Sequence, residues 1–245
     1  MKNNRLPVSE TFYSIQGEGK TAGAPAVFLR LGGCNLMCGG KGTERDKKLH
    51  NLATWRCDTI EVWTEFLRKP FSEVLSDELL NELSGGAHLV ITGGEPLLHQ
   101  EALLKYLEFL AHEERVWAHV EIETNGTIAL KHELYPYIQQ VNCSPKLSNS
   151  GNDRELYFKP EVIKQLSKKA HTIFKFVISR KEDWEEIEHF YLPLINKYQI
   201  YLMPAGATQK ELSITAPLVA EICKKIGVKY SPLLQVDIWN KATGV

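Results

Sequence analysis

The chain has 245 residues, 43% of them hydrophobic, which is enough for a sizeable core in one large α/β domain or two small ones. Lysine and arginine (29) nearly balance aspartate and glutamate (30), so no basic stripe asks for nucleic acid. No apolar run approaches membrane-span length, MKNNRLPVSE lacks a signal-peptide core, and the five cysteines, an odd number with three clustered, point to a reducing, cytoplasmic setting rather than a disulfide framework.

Residues 6–13 read as a short strand. Ser14-Ile15-Gln16-Gly17-Glu18-Gly19 follows, where two glycines around a carboxylate make either an ordinary turn or a loop whose backbone can approach a ligand. Residues 25–32 read as a buried strand. It runs into a loop holding Cys34, Cys38 and Cys57. Within that loop, residues 39–56 are charged, glycine-rich and without apolar period, as an inserted flexible segment would be. Residues 60–70 are amphipathic, with a helix beginning near Ile60. A further helix starts near Ser76-Asp77 and stops at Gly85-Gly86. The strand at 88–92 runs into Gly93-Gly94-Glu95-Pro96, and Pro96 opens a helix to about Glu114. A strand at 116–123 empties into Thr124-Asn125-Gly126-Thr127, and one at 139–143 empties into Ser144-Pro145-Lys146. Helices at 160–169 and 181–196 flank a strand at 172–178. A strand at 200–203 empties into Pro204-Ala205-Gly206, and a helix at 215–226 and an extended piece at 228–239 complete the pattern.

Alternating strands and helices with few hairpin signals predict an α/β fold with a parallel sheet and flanking helices. About six βα units predict a partial (β/α)6 TIM-like barrel rather than the closed form with eight. No linker splits the chain, so residues 1–245 read as a single domain with 39–56 as an inserted cluster-loop segment. Each polar, glycine-bearing loop follows the C-terminal end of a strand, the face that carries ligands in βα barrels, so these loops should converge on one mouth.

Three cysteines past a strand suggest a metal or cluster site. Structural zinc and ordinary electron-transfer clusters each want four protein ligands. Three thiolates on an iron–sulfur cluster leave one iron open, and an amine and carboxylate can chelate it, as the methionyl end of S-adenosylmethionine would. One electron can then break the nearby S–C bond and leave a 5′-deoxyadenosyl radical. Gly93 and Gly94 have no side chain to block an amino acid moiety, and Asn125 and Ser144 can hydrogen-bond ribose or carboxylate oxygens. A competing reading is a zinc-binding interaction module built from Cys34, Cys38, His50 and Cys57.

The cysteine loop together with Gly93-Gly94-Glu95-Pro96 resembles the radical S-adenosylmethionine superfamily. The blocks Ile15-Gln16-Gly17-Glu18-Gly19, Pro25 to Leu31, Trp55-x-Cys57-Asp58-Thr59, Thr92 to Pro96, Glu123 to Thr127 and Ser144-Pro145-Lys146 resemble, within it, the 7-carboxy-7-deazaguanine synthase family. That resemblance implies a lyase converting 6-carboxy-5,6,7,8-tetrahydropterin to 7-carboxy-7-deazaguanine with loss of ammonia, in the synthesis of queuosine and other 7-deazapurines. It implies a 4Fe–4S cluster on Cys34, Cys38 and Cys57, S-adenosylmethionine, and Mg2+ on Thr59. Substrate contacts would fall on Ile15, Gln16, Gly17, Glu18, Arg30 and Thr92. S-adenosylmethionine would be lined by Gly93, Gly94, Glu95, Glu123, Asn125, Ser144, Pro145, Lys146 and Pro204. An electron donor such as a flavodoxin and a homodimer are implied as partners, with no nucleic acid and no membrane.

The sequence departs from the family pattern in two places. The usual spacing is C-x3-C-x2-C, but here 18 residues, 39–56, separate Cys38 from Cys57. The family's tail commonly has a histidine, but none follows His189, and Gln235 is the candidate substrate contact there. A radical-activating enzyme acting on a protein glycine would share the cysteines and Gly93-Gly94-Glu95-Pro96, but the Ile15–Gly19 loop and Cys57-Asp58-Thr59 favour the pterin reading.

Overall fold

The computed structural model describes residues 4–240. One nine-stranded sheet runs through them. Strands β1 (Arg5–Ile15) and β2 (Pro25–Leu31) form an antiparallel hairpin, and β3 (Leu67–Pro70) lies antiparallel along the outer side of β1. The remaining strands are parallel to β2: β4 (His88–Gly93), β5 (Val120–Thr124), β6 (Gln140–Cys143), β7 (Thr172–Ile178), β8 (Ile200–Pro204) and the two-residue β9 (Lys229–Tyr230). The order is β3-β1-β2-β4-β5-β6-β7-β8-β9, so the sheet is open, with β3 and β9 at its edges. The six longer parallel strands, β2 and β4 to β8, are those the alternation of elements predicts.

Side chains alternate between the two faces of each strand, and here the faces differ in kind. Val27, Leu29, Leu89, Ile91, Ile122, Val141, Phe174 and Phe176 point to one side and are wholly buried. There they meet Leu83, Leu103, Tyr106, Leu110, Ile163 and Val219 from the helices Asp77–Ser84, Gln100–His112, Pro160–Ser167 and Gln209–Ile226. Burying each such side chain stabilises by roughly 1.5–3 kcal/mol, so this face carries most of the fold's apolar driving force. The opposite, inner face holds Arg30, Thr92, Glu121, Glu123, Asn142 and Lys175. Helices cover one side of the sheet only, and the inner face mixes these polar and charged side chains with buried Val90, Ile173, Tyr201 and Met203.

Several boundaries differ from the sequence expectation. Residues 60–70 divide into a helical turn, Ile60–Trp63, and the edge strand β3, because Leu67–Pro70 finds open backbone on β1. The helix read at 215–226 begins at Gln209, where the Thr208 hydroxyl accepts the Glu211 N–H (3.1 Å) and Pro217 is carried inside. The tail read as extended over 228–239 is helical at Leu234–Trp239. Segment 39–56 contains a helical turn at Thr43–Asp46 and is tied at both ends. Gly39 N–H donates to Ser150 O (2.9 Å), and Thr54 N–H to Asn149 O (2.9 Å).

Candidate functional site

The loops at the C-terminal ends of the parallel strands meet as expected. Gly94 N–H donates to Leu31 O (3.2 Å) and Glu95 N–H to Gly33 O (2.8 Å), which lays the Gly93-Gly94-Glu95 turn along the exit of β2. A Cβ on Gly93 would stand 2.2 Å from Leu31 O, and one on Gly94 2.2 Å from Gly33 O and 2.7 Å from Cys34 Cβ, so both positions require glycine. Glu95 is wholly buried and accepts from Leu97 N–H (3.0 Å), Thr124 Oγ1 (2.9 Å) and Asn125 N–H (2.7 Å). Burial pushes its carboxyl up and these three donors oppose the shift, so the side chain acts as a clamp between the β4 and β5 loops. The Asn125 amide donates to Asn35 Oδ1 (2.9 Å) and reaches 4.0 Å from Cys34 Sγ, while Asn35 donates to Thr127 Oγ1 (2.8 Å).

The cysteines are gathered despite the long gap. Cys57 N–H donates to Cys38 O (3.1 Å), which closes residues 39–56 as a loop on the rim. Asn152 Nδ2 lies 3.6 Å from Cys38 Sγ. Burial pushes the Cys34 thiol up to about 11 and Cys38 up to about 12, and the nearby Lys146 ammonium works against both shifts. Loading a metal would therefore release a proton from each thiol. Among the described residues, the three sulfurs are not drawn to within 4.8 Å of one another. Thiolates on one tetrahedral zinc, each at about 2.3 Å, would be closer than that. The His50 ring, the fourth ligand of the zinc reading, bonds Asp46 Oδ1 through Nε2 at 3.0 Å. Cys143 and Cys223 are buried in the helix-side core.

Thr59 sits at the N-cap position of Ile60–Trp63 but makes no side-chain cap bond. Its hydroxyl lies 3.4 Å from Cys57 Sγ. Lys146 Nζ donates to Ser144 Oγ (3.0 Å) and stands 5.8 Å from the Trp55 ring centroid. Pro145 is buried beside them, and Pro204 ends β8 opposite Ile178 in register.

Beneath the mouth, the inner face carries a charged network. Arg30, with its side chain 14% exposed, gives Nε to Glu10 Oε1 (2.8 Å), and its two Nη groups make no hydrogen bond among the described residues. Thr92 Oγ1 donates to Glu123 Oε2 (2.9 Å), and Gln16 Nε2 reaches Glu123 Oε1 (3.4 Å). Lys175 pairs with Glu18 (2.5 Å) and Glu123 (3.6 Å). Burial pushes the Glu123 carboxyl up, but Lys175, Thr92, Arg30 and Gln16 outweigh it and hold the group below the usual carboxylate range. The 15–21 loop lies across this face. Gly17 O accepts Leu234 N–H (3.0 Å), Gly19 N–H donates to Ser231 Oγ (2.8 Å), and Gln235 Nε2 donates to Glu18 Oε1 (2.9 Å). Gln235 Oε1 is buried with no partner among the described residues.

The sequence-predicted residues thus fall on two connected levels. The cysteines, Thr59, Gly93, Gly94, Asn125, Ser144, Lys146 and Pro204 are at the mouth. Ile15, Gln16, Gly17, Glu18, Arg30, Thr92, Glu123 and Gln235 are on or over the inner face. Sequence reasoning missed Lys175, Glu10, Asn35 and Thr127. For Lys175 a signal was present: one lysine in the middle of the otherwise apolar strand TIFKFVI.

No family model matches the chain. The 7-carboxy-7-deazaguanine synthase of Halobacterium salinarum is 34% identical over 265 residues, covering 97% of this chain and 91% of that protein. The enzyme of the same name from Pyrobaculum aerophilum is 33% identical over 243 residues, covering 98% and 97%. Among solved structures, QueE from Escherichia coli superposes with a TM-score of 0.61 at 25% identity, covering 93% of both chains.

Proposed function

The chain belongs to the 7-carboxy-7-deazaguanine synthase family, and from its site we infer a radical S-adenosylmethionine lyase that converts 6-carboxy-5,6,7,8-tetrahydropterin to 7-carboxy-7-deazaguanine with loss of ammonia, in queuosine and 7-deazapurine synthesis. The observation that carries this reading is the set of three thiols beside the Gly93-Gly94 turn, opening onto a polar inner face. Cys34, Cys38 and Cys57 would each hold one iron of a 4Fe–4S cluster. Gly93, Gly94, Glu95, Asn125, Ser144, Pro145, Lys146 and Pro204 would surround S-adenosylmethionine. When bound, the cluster and S-adenosylmethionine supply an electron and a carbon radical able to take hydrogen from the substrate.

The chain's own side chains do the rest. Gly94 and Gly93 let backbone approach the amino acid moiety, and the Asn125 and Ser144 side chains supply hydrogen bonds there. Arg30, braced through Nε by Glu10, has its Nη edge left for a carboxylate, and a planar guanidinium suits that partner. The resemblance puts Glu123 on S-adenosylmethionine, but it shares its face with Gln16, Thr92 and Arg30, so we place its ionised carboxylate on the substrate side instead, as an acceptor for pterin N–H groups. The unpartnered Gln235 Oε1 gives a second acceptor where the family's tail histidine is missing. Ile15, Gly17 and Glu18 close the pocket from the loop. Residues 39–56 form an added rim beside the cluster.

Arg30→Ala should weaken substrate binding by about 2–5 kcal/mol, as for truncating one side of a buried charge pair. Cleavage of S-adenosylmethionine without substrate should survive, and an unchanged substrate affinity in titration would move the carboxylate elsewhere. Mg2+ is placed on Thr59, with substrate oxygens and waters completing its octahedron. Thr59→Val keeps the shape and removes the oxygen. The variant should need much more Mg2+ for the same rate at normal cluster content. A lowered melting temperature with unaltered Mg2+ dependence would instead assign Thr59 to capping the turn.

The enzyme class is tested by anaerobic reconstitution with iron and sulfide. The protein should turn brown and, with a strong reductant, release 5′-deoxyadenosine from S-adenosylmethionine. A colourless protein that takes up zinc instead would contradict it. The proposal also includes a flavodoxin-type electron donor, a homodimer and a cytoplasmic setting, which rest on the family relationship. Among the described residues no helix is long and apolar enough to cross a membrane.

A further inference from the structure

The end of the sheet away from the mouth carries a second group of ligand-type side chains, which the proposed reaction leaves unused. One atom each from His88, His119 and Glu121 comes within 4.8 Å of the other two. The register of the sheet produces this. Leu89 pairs with Val120 and Val90 with Glu121, so His88 on β4 stands beside His119 just ahead of β5. Glu121 is two residues beyond His119 and therefore projects from the same face. The two imidazole rings lie 4.3 Å apart between centroids at 33°.

Glu121 is wholly buried, unlike the exposed carboxylates that cluster by chance. Its two oxygens are used differently. Oε2 accepts from Thr21 Oγ1 (2.8 Å) and Asn142 Nδ2 (2.8 Å), and Asn142 is itself oriented by Gln140 (3.1 Å). Oε1 is turned to His88 Nδ1 at 2.7 Å. One oxygen fixed by neutral donors and the other aimed at imidazole nitrogens is how the surroundings of a metal-bound carboxylate are built. Among the described residues, His88 is the only group of basic type that pairs with Glu121. A buried carboxylate without a firm countercharge is costly, and a divalent cation would offset that cost.

We propose that His88, His119 and Glu121 form a divalent-metal site at the N-terminal ends of β4 and β5, suited to a zinc-class cation. Two imidazoles and one carboxylate select borderline first-row ions over Mg2+ or Ca2+, and they leave coordination positions for water. His119 is exposed, which gives the ion a path in. The site lies at the opposite end of the strands from the cysteines, so its ion is distinct from the cluster. It joins two adjacent parallel strands where they begin.

The test uses cluster-loaded protein, prepared anaerobically, dialysed against Zn2+ and analysed for metal content and melting temperature. Wild type should retain stoichiometric zinc beyond its iron, and its melting temperature should rise with zinc concentration, as for any ligand that binds only the folded state. His119→Ala changes an exposed side chain outside the reaction site. It should lose both the zinc and the thermal shift while keeping its iron, sulfide and turnover. Glu121→Gln, which retains the hydrogen-bonding shape, should also lose the zinc. Three results would overturn the proposal: no zinc on wild type, equal zinc uptake by His119→Ala, or zinc bound only when the cluster is missing, which would put the ion on the cysteines.

Discussion

Cys57→Ala is expected to abolish stable cluster binding and all turnover while leaving the fold intact. Cys57 sits half-exposed on the rim, outside the apolar core, and its one backbone tie to Cys38 O does not involve the side chain. The substitution therefore removes a ligand without opening a cavity. Iron and sulfide analysis with visible absorption should show the loss, and thermal unfolding should be nearly unchanged. Cys143→Ala should behave in the opposite way. That thiol is wholly buried against the helices, so stability should fall while the cluster remains. Retained iron, sulfide and activity in Cys57→Ala would remove it from the ligand set.

The second large effect is expected at Lys175. Its side chain is 3% exposed and lies between Glu18 and Glu123. Removing one partner of a buried ionic group leaves the others uncompensated, a loss of about 3–5 kcal/mol. Lys175→Met keeps much of the volume and isolates the charge, and denaturant unfolding should report a drop of that order. The pH dependence gives an independent check. Glu123 is held below its ordinary value of 4.5, so its contribution is present above that value and lost as pH falls through its folded-state pKa. The gap between wild type and Lys175→Met should therefore narrow in acid. A gap that stayed constant through that range would assign the loss to packing rather than charge.

The parts of this site legible in the sequence were those with local signatures. Gly93-Gly94-Glu95-Pro96 and the cysteine loop follow strands, and a strand's C-terminal end fixes where its loop goes. The six longer parallel strands were legible for the same reason, as each is a short run bounded by turn residues. What escaped was set by distant partners. β3 is a strand only because the edge of β1 is open to it, and Leu67–Pro70 has no strand pattern of its own. The helix read at 215–226 starts at Gln209, because the Thr208 cap lets it begin earlier and carry Pro217 inside. Lys175 looks anomalous in its strand, yet the two carboxylates that explain it are 157 and 52 residues away in sequence. The role of Glu95 was likewise hidden. Its buried carboxylate bonds to the next strand's loop, and neither the local turn nor the resemblance states that partner.

The identity of the product decides whether this chain carries out the ring contraction. Reconstituted protein should be incubated anaerobically with 6-carboxy-5,6,7,8-tetrahydropterin, S-adenosylmethionine, Mg2+ and reductant, and the mixture analysed by mass. The expected result is 7-carboxy-7-deazaguanine, formed with ammonia and absent when any one component or Cys57 is removed. Unchanged pterin in the presence of an intact cluster and cleaved S-adenosylmethionine would contradict the assignment of this substrate.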